Sequence, residues 1–118
     1  MGRQGFSSRL RKINKPWGYE LIWADTKNYI AKIIFINQGC RLSLQYHQKK
    51  EETVYVMEGT LINDDNHHQN EYSAGEYLHV PPGKIHRFCA TKDSPVKLME
   101  VSSNHPDDVI RVEDDYNR

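Results

Sequence analysis

The chain has 118 residues, enough for one compact domain and too few for two. Only 37% of them are hydrophobic and the mean hydropathy is −0.80, so the core is small and each element must turn one face to water. The 16 basic residues balance 16 acidic ones; that excludes the basic excess of a nucleic-acid surface, and no stretch reaches the roughly 18 consecutive apolar residues of a membrane span.

Residues 1–12 read as a flexible basic arm. Arg3, Arg9, Arg11 and Lys12, with Lys15 just beyond, come without an intervening acid. Phe6 stands where a myristoylation signal needs Ser or Thr. Residues 13–118 then read as one domain without repeat or linker. Tyr29–Ile36 is a β-branched run that alternates around Lys32. Residues 41–48 alternate fully, with Leu42, Leu44 and Tyr46 on one face and Ser43, Gln45 and His47 on the other. Residues 53–57, Tyr77–Val80 and 97–101 follow the same rule. Turn signals separate these runs, at Asn37-Gln38-Gly39, Gly59, residues 63–66, Gly75 and Pro81-Pro82-Gly83. No segment keeps a helical period with caps, and short strands at regular spacing predict an all-β sandwich or barrel. The polar stretch 63–70, which carries His67 and His68, reads as a solvated hairpin loop. His105, before Pro106, reads as a turn residue. Cys40 and Cys89 form no CxxC pair and read as reduced thiols of a cytoplasmic protein.

The histidines, 6 in all, carry the chemistry. Gln45 and His47 lie two apart on a strand and therefore project from one face. Glu51 and Glu52 follow after a short turn, and spacing alone does not choose between them. His86 stands just past Pro81-Pro82-Gly83, a rigid turn that fixes how the next strand enters, and it shares a face with Phe88. Two imidazoles, one carboxylate and one amide oxygen can ring a divalent ion and leave a position open.

Gly39, Gln45, His47, Glu52 and Gly59 keep the spacing of the first cupin motif, and Gly75, Pro81, Gly83 and His86 that of the second. On both motifs together the chain resembles the cupins, which implies a double-stranded β-helix, a jelly-roll-like barrel. Lys15-Pro16-Trp17-Gly18, Leu42-Ser43-Leu44-Gln45, and Glu113-Asp114 with Tyr116 and Arg118 are similar to the cupin domain of type II mannose-6-phosphate isomerases. In larger relatives that domain follows a GDP-mannose pyrophosphorylase. The resemblance selects Glu52 over Glu51, implies Zn2+ as the metal held by Gln45, His47, Glu52 and His86, and has Trp17 pack the barrel end. The chain departs from the family at Lys49, Lys50 and Thr53, where a second His, an Arg and a His are usual, and at Val54, where a Trp is usual. Lys50 keeps the charge but loses the planar fork that grips phosphate in two bonds.

The resemblance implies a metal-dependent isomerase that interconverts mannose 6-phosphate and fructose 6-phosphate by moving a proton between C1 and C2. The metal would polarise the carbonyl. His79 and Lys84 are the position-based candidates for moving the proton, although His79 reads equally well as facing solvent. Arg111, also placed in the catalytic set, would hold the phosphate of this small-molecule partner with Lys50 and Arg118. The departures motivate an alternative, a metal-bearing cupin that binds a sugar or small acid without turnover. A further alternative is a cupin lyase or oxygenase, the latter disfavoured by Gln45. An open barrel edge implies a homodimer paired through edge strands.

Overall fold

The computed structural model describes residues 10–116. They form strands β1 (Arg11–Lys15), β2 (Gly18–Asp25), β3 (Tyr29–Ile36), β4 (Leu44–Tyr46), β5 (Glu52–Glu58), β6 (Thr60–Asp64), β7 (Gln69–Ser73), β8 (Tyr77–Val80), β9 (Arg87–Ala90), β10 (Val96–Ser103) and β11 (Ile110–Glu113). The larger layer is an antiparallel sheet in the order β1-β2-β3-β10-β5-β8. The smaller layer combines β11-β4 with β7-β6-β9. Bridges between Gln45 and His86 and between Arg41 and Cys89 join its two parts. The result is the two-layered all-β barrel implied by the motifs.

β3 and β8 coincide with the runs read from the sequence, and β5 and β10 extend theirs. The alternating stretch 41–48 pairs as a ladder only over Leu44–Tyr46, where β11 lies beside it. Arg11 and Lys12 do not belong to an arm: they open β1 and pair with Ile22 and Leu21. The rest of the expected arm lies outside the described residues. The stretch 63–70 is less of a loop than its composition implied. Asn63 pairs with Asn70 and Asp64 with Gln69, so the turn shrinks to 65–68, where the Asp65 carboxylate accepts the His67 and His68 N–H groups. That side-chain bonding is how Asp stabilises a tight turn.

The two layers close over Trp17, Ile34, Ile36, Val54, Val56, Leu61, Val80, Phe88, Val96 and Leu98, all buried. Burial of each large side chain contributes on the order of 1.5–3 kcal/mol. Gly59 holds the β5–β6 corner at φ +82°, and a Cβ there would strike the Pro95 carbonyl; only glycine tolerates both conditions. The inward residues of β10 are Val96, Leu98, Glu100 and Ser102, those of β5 are Val56, Val54 and Glu52, and those of β3 include Ile36, Ile34 and Lys32. One end of the barrel interior is therefore apolar and the other charged.

Candidate metal centre

The charged end is built by three elements. His47 leaves β4, Glu52 opens β5, and His86 precedes β9; all three are buried. The Pro81-Pro82-Gly83 turn docks on the first of them, because the Gly83 N–H donates to the His47 carbonyl at 2.6 Å. The backbones of Gln45 and His86 exchange hydrogen bonds of 3.0 and 2.9 Å. The two motifs, distant in sequence, are thus clamped side by side.

Each imidazole is oriented by a backbone carbonyl. His47 Nδ1 lies 2.5 Å from the Asp108 carbonyl oxygen and His86 Nδ1 lies 2.9 Å from that of Lys84. A carbonyl only accepts, so each Nδ1 carries the proton and each Nε2 turns its lone pair inward. Glu52 Oε1 is 3.0 Å from His86 Nε2 and 3.8 Å from His47 Nε2. Ligand atoms of the three residues lie within 4.8 Å of one another. His47 Nε2, Glu52 Oε1 and His86 Nε2 are buried without a well-formed hydrogen bond. With both imidazoles neutral, three acceptors converge with no donor among them, and a cation is what satisfies such a set. Burial pushes the Glu52 carboxyl up, but its polar contacts and the Lys50 ammonium 3.2 Å away outweigh this and hold it well below the usual carboxylate range. It is therefore an anionic ligand at neutral pH.

Behind the triad runs a chain of buried charges that sequence reading did not assemble. Lys50 Nζ is 3.2 Å from Glu52 Oε2 and 3.4 Å from Glu100 Oε2. Lys32 Nζ is 3.7 Å from the same Glu100 oxygen and 3.2 Å from Glu20 Oε1. Burial pulls the Lys50 ammonium down, but the Glu100 and Glu52 carboxylates outweigh it and lift it to about 12. Burial, followed by repulsion from Glu52, raises Glu100 to about 7. The signal was present in the pattern, since Lys32 and Glu100 sit at inward positions of otherwise apolar strands.

Asp108 is the other residue the sequence did not single out. Its carboxylate accepts the N–H groups of Gln48, Lys49 and Lys50 at 3.0, 2.6 and 2.9 Å. These bonds hold the carboxyl at about 2. With its own carbonyl on His47, Asp108 fixes both the turn after β4 and the ring that precedes it.

Of the triad, His47 borders a cavity of about 130 Å³ whose walls carry Lys15, Lys32, Lys50 and Arg111, the acids Glu20 and Asp108, and Gln45 and Trp17. Gln45 is beside His47 as expected, and its Oε1 accepts the Ser43 hydroxyl at 2.6 Å. Arg111, opposite Gln45 in the β4–β11 pairing, is exposed and reaches the same space. Lys50 lines it too, but its ammonium is engaged by two carboxylates. Arg87 is turned away and bonds Glu113. Glu51, the rejected carboxylate, lies outside and bonds His79 at 2.6 Å. Neither His79 nor Lys84 borders the cavity; Lys84 is exposed, 3.7 Å from Asp65. Arg118 lies outside the described residues.

Residues 3–114 match the family described as the mannose-6-phosphate isomerase C-terminal domain. The chain belongs to this family. Among relatives, it is 33% identical over 112 residues to the mannose-1-phosphate guanylyltransferase ManC of Salmonella typhimurium, covering 92% of this chain and 23% of that protein. It is 31% identical over 112 residues to the xanthan biosynthesis protein XanB of Xanthomonas campestris, covering 92% of this chain and 24% of that protein. The chain thus spans less than a quarter of the length of these curated relatives. Among solved structures, a cupin-2 domain protein of Shewanella frigidimarina superimposes with a TM-score of 0.63 at 25% identity, over 75% of this chain and 82% of that one. The fold is that of the cupins. The mannose-6-phosphate isomerase C-terminal domain is thus where this chain sits, but the expected isomerisation requires correction. ManC and RfbM of Salmonella typhimurium are named mannose-1-phosphate guanylyltransferases, which is a different reaction. The proton-moving roles given to His79 and Lys84 belong to that isomerisation, and neither residue lines the cavity.

Among the described residues no helix is long and apolar enough to cross a membrane.

Proposed function

We propose that this domain holds one Zn2+ ion on His47, Glu52 and His86, with Gln45 as a fourth donor, and uses it to bind a phosphorylated sugar. The observation that carries the reading is the convergence of two inward Nε2 atoms and one carboxylate oxygen, without a donor, beside a cavity lined by cations. Nitrogen and oxygen donors in this number suit Zn2+, with coordination left open for a ligand. The ion would supply Lewis acidity and orient sugar hydroxyls. The chain's own residues do the rest. Arg111 and Lys15 offer the phosphate its cations, Arg111 with a fork that matches phosphate oxygens. Lys50, tied to Glu52 and Glu100, supplies positive potential more than direct grip. Trp17 and Val109 give the cavity an apolar wall. The names of the relatives point to mannose 1-phosphate as the first ligand to test.

Calorimetric titration of the zinc-loaded chain tests this. Mannose 1-phosphate is expected to bind, with mannose weaker by about tenfold, since charge-assisted bonds are the stronger ones. Arg111→Ala should weaken the phosphorylated ligand alone. Equal affinity for mannose, or binding that survives complete removal of metal, would count against the proposal.

A further inference from the structure

A second recess opens on the outer face of the six-stranded sheet, where β3 begins and β10 finishes. It is a groove of about 310 Å³, more than twice the volume of the cavity beside His47 and within the range of small-ligand sites. The register places its lining. Tyr29 is opposite Ser103, and Val101 is opposite Thr53. Ile30, Val54 and Ser102, next to them in the chain, are buried, so Tyr29, Thr53, Val101 and Ser103 point out. Asn28 and Glu51 complete the walls. Glu51 turns out into the groove, whereas Glu52, the next residue, turns in to the triad. The groove and the metal centre therefore lie on opposite faces of one layer.

Both walls are fixed by hydrogen bonds. The Thr26 N–H donates to the Tyr29 carbonyl at 2.9 Å, and the Thr26 hydroxyl accepts the N–H groups of Asn28 and Tyr29 at 3.3 and 3.2 Å. The Asn104 amide donates to the Thr26 carbonyl and ties down the same turn. On the other side the Glu51 N–H donates to the Ser103 hydroxyl at 3.1 Å, and the Ser103 N–H donates to the Glu51 carbonyl at 3.0 Å. His79 Nε2 lies 2.6 Å from Glu51 Oε2, which holds the carboxylate and leaves Oε1 open. A preorganised wall lowers the cost of binding.

The lining selects the ligand. Tyr29 and Val101 are 47% and 48% exposed and give the groove an apolar wall and floor. The Glu51 carboxylate, the Thr53 hydroxyl and the Asn28 amide surround them with acceptors and donors. A pyranose ring has the matching character, with C–H groups on its faces and hydroxyls around its rim. The one charge among the outward lining side chains is the Glu51 carboxylate, so the groove offers a phosphate no cation, in contrast to the cation-rich cavity on the other side of the sheet. An extended peptide docks by adding to a free strand edge, and β3, β10 and β5 each have a neighbour on both sides.

We propose that this groove is a second binding site, for an unphosphorylated sugar whose ring packs against Tyr29 and Val101 and whose hydroxyls bond Glu51 Oε1 and the Asn28 amide. It stands apart from the metal centre, takes none of its residues' side chains and does not depend on what the cavity binds.

Amide NMR titration of the full zinc-loaded chain with methyl α-mannopyranoside, a neutral probe, tests the proposal. Saturable shifts are expected at Asn28, Tyr29, Thr53, Val101 and Ser103, and they should be the same in Arg111→Ala. Tyr29→Ala should weaken binding by about tenfold, as expected for loss of an aromatic packing partner. Glu51→Gln, which keeps the shape and removes the charge, should weaken it by about fivefold, since hydrogen bonds to charged groups are the stronger ones. The amide spectrum reports whether each variant folds. If Tyr29→Ala does not, Val101→Lys at the half-exposed floor fills the groove and should abolish the shifts. No saturable shift, shifts confined to the cavity around Lys15 and Arg111, or a groove indifferent to Tyr29→Ala or Val101→Lys would overturn the proposal. Mannose 1-phosphate entering the groove as tightly as the neutral glycoside would overturn it too. Failure of mannose 1-phosphate to bind the cavity would count against the metal-site reading alone.

Discussion

The two ends of the barrel interior are made by the same strands, yet they behave as different materials. Along β10, Val96 and Leu98 belong to the close-packed core, and two positions further Glu100 enters the chain of charges that ends at Glu52. β3 changes character at the same level, at Lys32, and β5 one inward position further, at Glu52. Apolar side chains at the first end are interchangeable within limits of volume, since burial is non-directional. The second end is held by direction: Nδ1 protons on carbonyls, Nε2 lone pairs inward, carboxylates spaced by ammonium groups. Half-satisfied polar networks are unstable in a low dielectric, so the charged end requires either its cation or a rearrangement. Stability resides at one end and chemistry at the other.

Substitutions can break this division. The largest effect is expected from His86→Ala, which removes a ligand and should lower zinc affinity by more than the roughly 100-fold that bounds changes behind the ligands, measured by competition with a chelating dye. Retained affinity would show that the triad is not the site. Leu98→Ala, at the apolar end, should cost about 2–5 kcal/mol in urea unfolding while zinc affinity in the folded state stays unchanged. A joint loss would mean the two ends are one cooperative unit. Asp108→Ala sits between these cases. It frees the turn after β4 that orients His47, and zinc affinity should fall about 10–100-fold, with a changed visible spectrum of the cobalt-loaded protein. An unaltered spectrum would confine Asp108 to the loop.

The smallest effect is a pH dependence. The Glu100 carboxyl keeps its proton to about pH 7 in the fold, against an ordinary value of 4.5. Between these values the folded state binds more protons than the unfolded chain, so this group makes stability fall as pH rises through the window. Glu52 is depressed, so its contribution is lost only as pH falls below the ordinary carboxylate range. Metal-free protein should therefore lose stability from the lower to the upper side of the Glu100 window, and Glu100→Gln should flatten that slope. The same slope in both proteins would remove Glu100 as its source.

The sequence was informative where a rule has a short range. Alternation gave β3 and β8, and two motif spacings gave His47 and His86, because strand periodicity and a Pro-Pro-Gly turn are local properties; Glu52 was chosen over Glu51 by the family resemblance and not by spacing. β7 was not legible: Gln69–Ser73 has neither branched nor alternating apolar residues and becomes a strand by pairing with β6. Arg11 and Lys12 looked like a solvated arm for the same reason, since an edge strand needs only one partner. Asp108 and Lys15 reach the site through tertiary contacts alone. Lys32 and Glu100 were visible as charges at inward positions, but their pairing with each other follows from the β3–β10 register, which no local pattern specifies. The activity was misread because the motif spacings mark candidate metal ligands and not a reaction, and relatives are named for another one.

X-ray absorption at the zinc edge of the loaded protein tests the centre most directly. The account expects one zinc per chain with two imidazole nitrogens at about 2.0–2.1 Å and oxygen in the remaining positions. Sulfur at about 2.3 Å, which would implicate Cys40 or Cys89, or a shell without imidazole, would contradict it.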